Sequence, residues 1–224
     1  MTVAGATAAR AALERLVATG ARVRPVRPAT RDDARPAAVL VLFGVLDAVP
    51  AHHHDSAVAD DLDVLLVGRA ATLSHHAGQV AFPGGRLDPD DDGPVGAALR
   101  EAAEETGLDP TGVDVLGTLA AVPVPVSNHV VTPVLAWWRS PSTVAVVDHG
   151  ESATVFRAPV ADLLDPANRR TATLTRAGST YRGPAFLVAD HVVWGFTAHV
   201  LDGLFDALGW TEPWDRTRTV LAPV

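Results

Sequence analysis

Between Arg100 and Gly107 the chain reads REAAEETG, which puts Glu101, Glu104 and Glu105 within five residues of one another. Like charges three and four residues apart on a helix repel. Hard carboxylate oxygens at this density suit Mg²⁺ or Mn²⁺, and two bound divalent cations would turn a repulsive cluster into an attractive one. The plainer alternative is a solvated acidic face on a surface helix. The local context weighs against it: Phe82-Pro83-Gly84-Gly85 ends an apolar strand just upstream, and paired glycines permit φ > 0 and close backbone approach.

A helix must carry the glutamates. Pro94 suits its first turn, Asp92 or Gly93 its cap, and Gly107 its end. Such a helix has about thirteen residues and is roughly 20 Å long. At ~100° per residue, Val95, Leu99, Ala102 and Thr106 share the stripe expected to pack on a sheet. Glu101, Glu104 and Glu105 fall on roughly the opposite side, and Arg100 lies at the margin, where it can pair with Glu104. Asp88, Asp90, Asp91 and Asp92 read as turn and cap residues, with Asp92 able to support the site from behind.

Apolar spacing predicts a short helix over 7–19, an Arg/Pro-rich linker over 22–36 and strands at Ala38–Leu46 and Leu62–Arg69. Between those strands, His52, His53 and His54 belong to a loop. Further strands are expected at Val80–Phe82, Val113–Val122, Val130–Trp137, Thr154–Ala158, Thr171–Thr175, Ser179–Val188 and Val192–Trp194. Pro159–Leu164 suits a helical turn, and Phe196–Leu208 a helix ended by Gly209. Many strands and few helices predict an α/β fold, a mixed sheet flanked by helices.

The 224 residues allow one well-buried domain or two small ones. A net charge of −8 argues against a nucleic-acid duplex or an anionic membrane as the main partner. With no cysteine there is no thiolate ligand or cysteine nucleophile. Residues 1–17 lack the apolar core of a secretory signal, and the Ala37–Leu46 run is short of the roughly 18 residues a span requires. A cytoplasmic location is the expectation.

Arg100-Glu101-Ala102, Glu104-Glu105 and Gly107-Leu108, behind a double glycine, resemble the second half of the Nudix box of the Nudix hydrolases. The first half departs: six residues, not five, separate Gly85 from Asp92, and Asp92 stands where Glu is usual. The coenzyme A pyrophosphatase branch is similar in carrying that extension. It also carries an upstream pattern that Arg69, Ala70, Gly78 and Phe82-Pro83-Gly84-Gly85 match, although Ser74 replaces its second arginine. The VVWGFTAHVL stretch near the C-terminus also resembles that branch. The resemblance covers roughly Arg35 to Gly209, so residues 1–34 read as an N-terminal helix and arm and residues 35–224 as the domain.

The resemblance implies a Nudix-type α/β/α sandwich and a pyrophosphohydrolase using Mg²⁺ or Mn²⁺. The substrate would be a small diphosphate, coenzyme A or its thioesters, cleaved to 3′,5′-ADP and (acyl-)4′-phosphopantetheine. Alternatives are another nucleoside diphosphate derivative, such as ADP-ribose or a dinucleotide, and a catalytically weak nucleotide-binding module. By position, Glu101 and Glu105 are the metal ligands, with Glu104 as a further ligand or a holder of metal-bound water. Gly85 would add a carbonyl ligand, and Arg100 would orient the glutamates. Glu151, before a predicted strand, is the candidate base from a later loop; otherwise it is a surface acid. Arg69 and Arg86 are candidate phosphate grips, with Gly84 and Gly85 shaping a turn at the substrate. His75 and His76 read as loop or packing residues. Trp137, Trp138, Trp194 and Trp210 read as core or interface, with one able to stack on adenine. A homodimer is compatible with all of this.

Overall fold

The computed structural model describes residues 3–20, 33–45, 51–54, 56, 58, 61–69, 79–148, 150, 152–176 and 178–223. The chain opens with helix α1 (Val3–Ala18), followed by β1 (Arg35–Val45), β2 (Leu62–Arg69), β3 (Val80–Ala81) and β4 (Gly84–Arg86). Helix α2 (Gly93–Thr106) carries the glutamates. Then come β5 (Val113–Thr118), β6 (Val122–Val124), β7 (His129–Trp138), β8 (Ser152–Pro159) and the short helix α3 (Val160–Leu164). Strands β9 (Arg169–Arg176), β10 (Ser179–Val188) and β11 (His191–Val193), helix α4 (Gly195–Leu208) and β12 (Thr219–Leu221) complete it.

Strands β1 to β8 form one sheet with β1 near its centre. Strand β1 runs parallel to β7 over ten registered pairs, from Arg35 opposite His129 to Gly44 opposite Trp138. It is antiparallel to β2 at one end and to β4 at the other. Alternate residues of a strand face opposite ways, so a strand covered on both sides reads as an unbroken apolar run. Ala38, Leu40 and Leu42 pack against Ala97, Ala98 and Ala102 of α2. Val41 and Phe43 join the larger core with Leu13 and Leu16 of α1 and Val200, Leu201 and Leu204 of α4. Helices on both faces make the mixed α/β/α sandwich that the pattern predicts. The second, four-stranded sheet, β11-β10-β9-β12, was not anticipated as a separate layer. It joins the main core through Phe186 and Val188.

The expected Val113–Val122 strand divides into β5 and β6. Gly117 has φ 151°, and the pairing of β5 with β7 slips between Val115 and Gly117. The double glycine is not a turn. Strand β3 pairs with β2, the chain crosses at Phe82-Pro83, and β4 resumes beside β1, with Gly84 opposite Val39 and Gly85 opposite Ala38. The His52–His54 loop is held down by Asp162, whose Oδ1 accepts the His52 and His53 N–H groups at 2.6 and 2.9 Å. His53 Nε2 also meets Glu212 Oε1 at 2.9 Å. Among the described residues, no helix is long and apolar enough to cross a membrane.

Candidate active site on the glutamate helix

Helix α2 starts at Gly93, with Pro94 in its first turn and Asp92 at the cap position, although the Asp92 side chain makes no capping hydrogen bond. It ends on Gly107 in the left-handed region at φ 70°, whose N–H reaches the Ala103 carbonyl at 2.9 Å. Its buried residues are Ala97, Ala98, Ala102, Glu105 and Thr106. Small side chains let the helix lie close to β1. Of the expected stripe, Ala102 and Thr106 are buried and Val95 and Leu99 pack against the same core at its edge, with Ala97 and Ala98 added at the centre. The expected layout needs correction at Glu105. Glu105 does not point away from the sheet: it is 8% exposed. Its Oε2 accepts the Gly84 N–H at 3.1 Å. The Glu101 and Glu104 side chains are 20% and 60% exposed, so the three glutamates grade from the sheet to solvent.

Strand β4 fits beneath them because it carries no side chains there. Gly84 has φ 155°, and a methyl group on it would run into the Ala38 carbonyl and Val39. A methyl on Gly85 would occupy the space of the Glu101 carboxylate. The Gly84-Gly85 backbone is therefore the floor on which two of the three glutamates rest.

Arg100 ties this floor to the helix. Its Nε and NH2 make a two-pronged contact with Asp91 Oδ1 and Oδ2, at 2.9 and 3.0 Å. NH1 reaches Glu104 Oε2 at 3.1 Å and Glu101 Oε1 at 3.2 Å. NH2 also donates to the Arg86 carbonyl at 3.1 Å. The expected Arg100–Glu104 pair is present; the Asp91 pair was missed, because nothing in the sequence separates Asp91 from its acidic neighbours. Hydrogen bonds from Arg100 hold the Asp91 carboxyl below its ordinary range. Burial pushes the Glu101 carboxyl up, and Arg100 acts against that rise.

Glu101, Glu104, Glu105, Asp148 and Ser152 line one open cleft with an empty volume near 480 Å³. Asp148 was not singled out from the sequence. It is brought there because residues 145–147 are stapled to the end of α2: Ala145 N–H donates to Thr106 O at 3.0 Å and Val147 N–H to Glu105 O at 3.3 Å. Asp148 Oδ1 accepts the Gly150 N–H at 2.7 Å, and its carbonyl accepts the Ser152 N–H at 3.0 Å. Arg69, at the end of β2, stands opposite Ser152 in the β2–β8 pairing, and its Nε is buried without a hydrogen-bond partner among the described residues. Arg86 is exposed beside Gly85 and offers its carbonyl to Arg100. Glu151, Ser74, His75 and His76 lie outside the described residues. Trp137, Trp138 and Trp210 are buried, and Trp194 packs edge-on to Tyr181 at 6.2 Å.

The donor set fits a hard divalent cation in chemistry: four carboxylates from two elements, over a glycine floor with no competing side chain. Among the described residues, no three Asp, Glu or His side chains are arranged to grip one ion as they stand. Glu105 is engaged with Gly84 and Glu104 with Arg100.

Comparison with known proteins identifies the family. The NUDIX domain family model matches residues 54–177. The uncharacterized Nudix hydrolase NudL of Cronobacter sakazakii is 39% identical over 146 residues, spanning 65% of this chain and 75% of that protein. Its counterpart from Photorhabdus laumondii is 37% identical over 141 residues, 63% of this chain and 74% of that one. Among solved structures, the Nudix hydrolase RenU of M. smegmatis is 29% identical, with 55% of this chain and 70% of that chain covered and a TM-score of 0.41. With the glutamates of the Arg100–Gly107 stretch gathered over the Gly84-Gly85 floor, and more than half its length matched by the family model, the chain belongs to the Nudix family.

Proposed function

We propose that this Nudix hydrolase cleaves the diphosphate of coenzyme A or its thioesters, releasing 3′,5′-ADP and (acyl-)4′-phosphopantetheine, with Mg²⁺ or Mn²⁺ as cofactor. The observation that carries the reading is the common cleft of Glu101, Glu104, Glu105 and Asp148, with Arg69 placed beside it opposite Ser152. The narrowing to coenzyme A rests on the one-residue extension after Gly85 and on the upstream Arg69, Ala70, Gly78 and Phe82-Pro83-Gly84-Gly85 pattern. The family points to a nucleoside diphosphate derivative as substrate; the choice among such compounds is the step proposed here.

Glu101 and Glu105 would hold the cation, with Glu104 and the Gly85 carbonyl as further donors. A cation held there would neutralise diphosphate charge and lower the pKa of water. The protein's own contribution is positional. Gly84 N–H fixes one carboxylate from below, and Arg100 restrains the other two from the side. Arg69, paired in the sheet with the cleft residue Ser152, is the first candidate phosphate grip, and Arg86, exposed beside Gly85, is the second. Asp148, which lines the cleft, and Glu151, three positions later in the sequence, are the candidates for accepting a proton from the attacking water. A location in the cytoplasm and a homodimeric state go with this reading.

The test is turnover of coenzyme A by the full chain with Mg²⁺ or Mn²⁺, following 3′,5′-ADP, with Glu105→Gln as control. Loss of turnover in the variant supports the reading. Cleavage of ADP-ribose or a dinucleotide without cleavage of coenzyme A moves the substrate elsewhere in the class. Tight coenzyme A binding with no turnover in either metal makes the domain a binding module.

A further inference from the structure

We propose that Thr197, in the first turn of α4, is a positioning residue for substrate: through β3 it fixes the end of β2 and so aims Arg69 at the diphosphate. This rests on the reading of Arg69 as the phosphate grip. The VVWGFTAHVL stretch that contains Thr197 has no part in the reaction as set out above. It is remote from the glutamates in sequence, yet the fold brings it and its neighbour His191 against the two strands that flank Arg69.

Arg69 ends β2, and that end is paired along both edges. On one edge β3 sets Val80 beside Gly68, and the Gln79 carbonyl accepts the Arg69 N–H at 2.9 Å. On the other, β8 sets Thr154 beside Gly68 and the cleft residue Ser152 beside Arg69. Strand β3 is only two residues long and has little hold of its own. Successive carbonyls of a strand point to opposite edges. The Gln79 carbonyl is engaged with Arg69, so the Val80 carbonyl faces away from β2. Thr197 Oγ1 donates to it at 3.0 Å, in a buried bond that joins residues 117 positions apart. Thr197 itself is 4% exposed. The strand just before α4 reaches the opposite flank: His191 of β11 stacks on Phe156 of β8, with ring centroids 4.8 Å apart. One short stretch, 191–197, thus braces both neighbours of β2.

The brace acts on Arg69 rather than on the glutamates, because the glycine floor has its own fastenings. Leu40 N–H donates to the Pro83 carbonyl at 2.8 Å, β4 pairs with β1, and Gly84 N–H meets Glu105. The backbone of Arg69 leans on Gln79 and on its pairing with Ser152. Its Nε is buried without a hydrogen-bond partner among the described residues. A guanidinium nitrogen in that state suits a ligand oxygen, and what it reaches depends on where the strand end is held. Without the Thr197 hydroxyl, the Val80 carbonyl is left buried and unpaired, which favours a shift of β3 toward another donor. Gln79 and the Arg69 backbone shift with it. Thr197 touches neither substrate nor metal in this scheme; it acts through Arg69.

The experiment uses the full chain. Thr197→Val keeps the branched shape and removes the hydroxyl, whereas Thr197→Ser keeps the hydroxyl. Hydrogen exchange of the Arg69 amide, read by nuclear magnetic resonance, should quicken about tenfold or more in Thr197→Val, a size set by one buried carbonyl left unpaired. Thr197→Ser should stay within about threefold of the wild type. With coenzyme A and Mn²⁺, Thr197→Val should raise KM about fivefold or more, while kcat and calorimetric Mn²⁺ affinity stay within about twofold. The decisive arm is a double-mutant cycle. In an Arg69→Gln background the misplaced group is already gone, so adding Thr197→Val should leave KM within about twofold. Thr197→Ala lacks the same hydroxyl and carries the test if the valine variant folds poorly. Wild-type exchange at Arg69 in Thr197→Val, a parallel loss of Mn²⁺ affinity, a fall in kcat with KM unchanged, or a further rise in KM on top of Arg69→Gln overturns the inference. Wild-type KM in Arg69→Gln alone removes the grip reading on which it rests. A wild-type chain that leaves coenzyme A intact removes only the substrate reading, since the exchange arm needs no substrate and still decides whether Thr197 holds the end of β2.

Discussion

Asp63 lies on β2, fully buried, with neither carboxylate oxygen hydrogen-bonded among the described residues. It stands opposite Gly44 on one side and Pro159 on the other, so no neighbour in its row offers a donor. Burial is the main cause that raises its pKa, from 3.8 to about 7. Arg157 pulls it down, and Asp61 and Asp162 push it up. The folded chain therefore holds a proton that the unfolded chain releases. Stability is fully present below the unfolded value and is lost as pH rises through the folded one. A rise from 3.8 to about 7 corresponds to about 4 kcal/mol in total at ~1.4 kcal/mol per unit. Of this, about 3 kcal/mol is lost between pH 5 and pH 8, because part of the cost is already incurred at pH 5. Asp63→Asn cannot ionise. Its own unpaired amide carries a cost that does not depend on pH, so the two chains should differ in slope. Urea unfolding followed by tryptophan fluorescence, at pH 5, 6, 7 and 8, gives the stability of each. The variant should gain about 3 kcal/mol on the wild type across that range, with equal m-values. A gap that stays constant from pH 5 to pH 8 refutes the reasoning. So does a variant that becomes relatively less stable at pH 8, which would mean that Arg157 holds Asp63 as a carboxylate.

Other substitutions probe the site floor and the packing beneath it. Gly84→Ala combines φ 155° with a collision against the Ala38 carbonyl; it should cost about 1–3 kcal/mol or more, read as a lowered Tm. The three atoms nearest a methyl on Gly85 all belong to the flexible end of Glu101, so the Tm of Gly85→Ala should change little while calorimetric Mn²⁺ affinity falls; unchanged affinity would show that the Glu101 carboxylate need not rest there. Leu13→Ala removes a fully buried side chain of α1 from the main core and should cost about 2–5 kcal/mol in urea unfolding; a cost under ~0.5 kcal/mol would mean that α1 is not part of the folded unit.

What the sequence disclosed, and what it withheld, follows from the range of the forces involved. Strands β2 and β10 fall at their expected bounds, because Leu62–Arg69 is an apolar run behind acidic residues and Ser179–Val188 lies between the turn residues Gly178 and Asp190. Strand β4 was unreadable: three residues, two of them glycine, carry no periodicity, and only pairing with β1 makes them a strand. The metal-type cluster was legible because three glutamates on one helix lie close whatever the fold. Their ranking was not, since the wheel turned Glu105 away from the sheet, whereas the fold buries it against Gly84. Asp148 and Asp91 reach the site by loop paths, fixed by backbone bonds to Thr106, Glu105 and Asp88 that no side-chain pattern announces. The Glu105 carboxylate then has two parts to play. It anchors β4 through Gly84 N–H, and in the function proposed above it would also hold a cation. An amide at position 105 can still accept that N–H but supplies no charge. Glu105→Gln therefore separates the two parts: the fold stays close to the wild type while the site loses its cation.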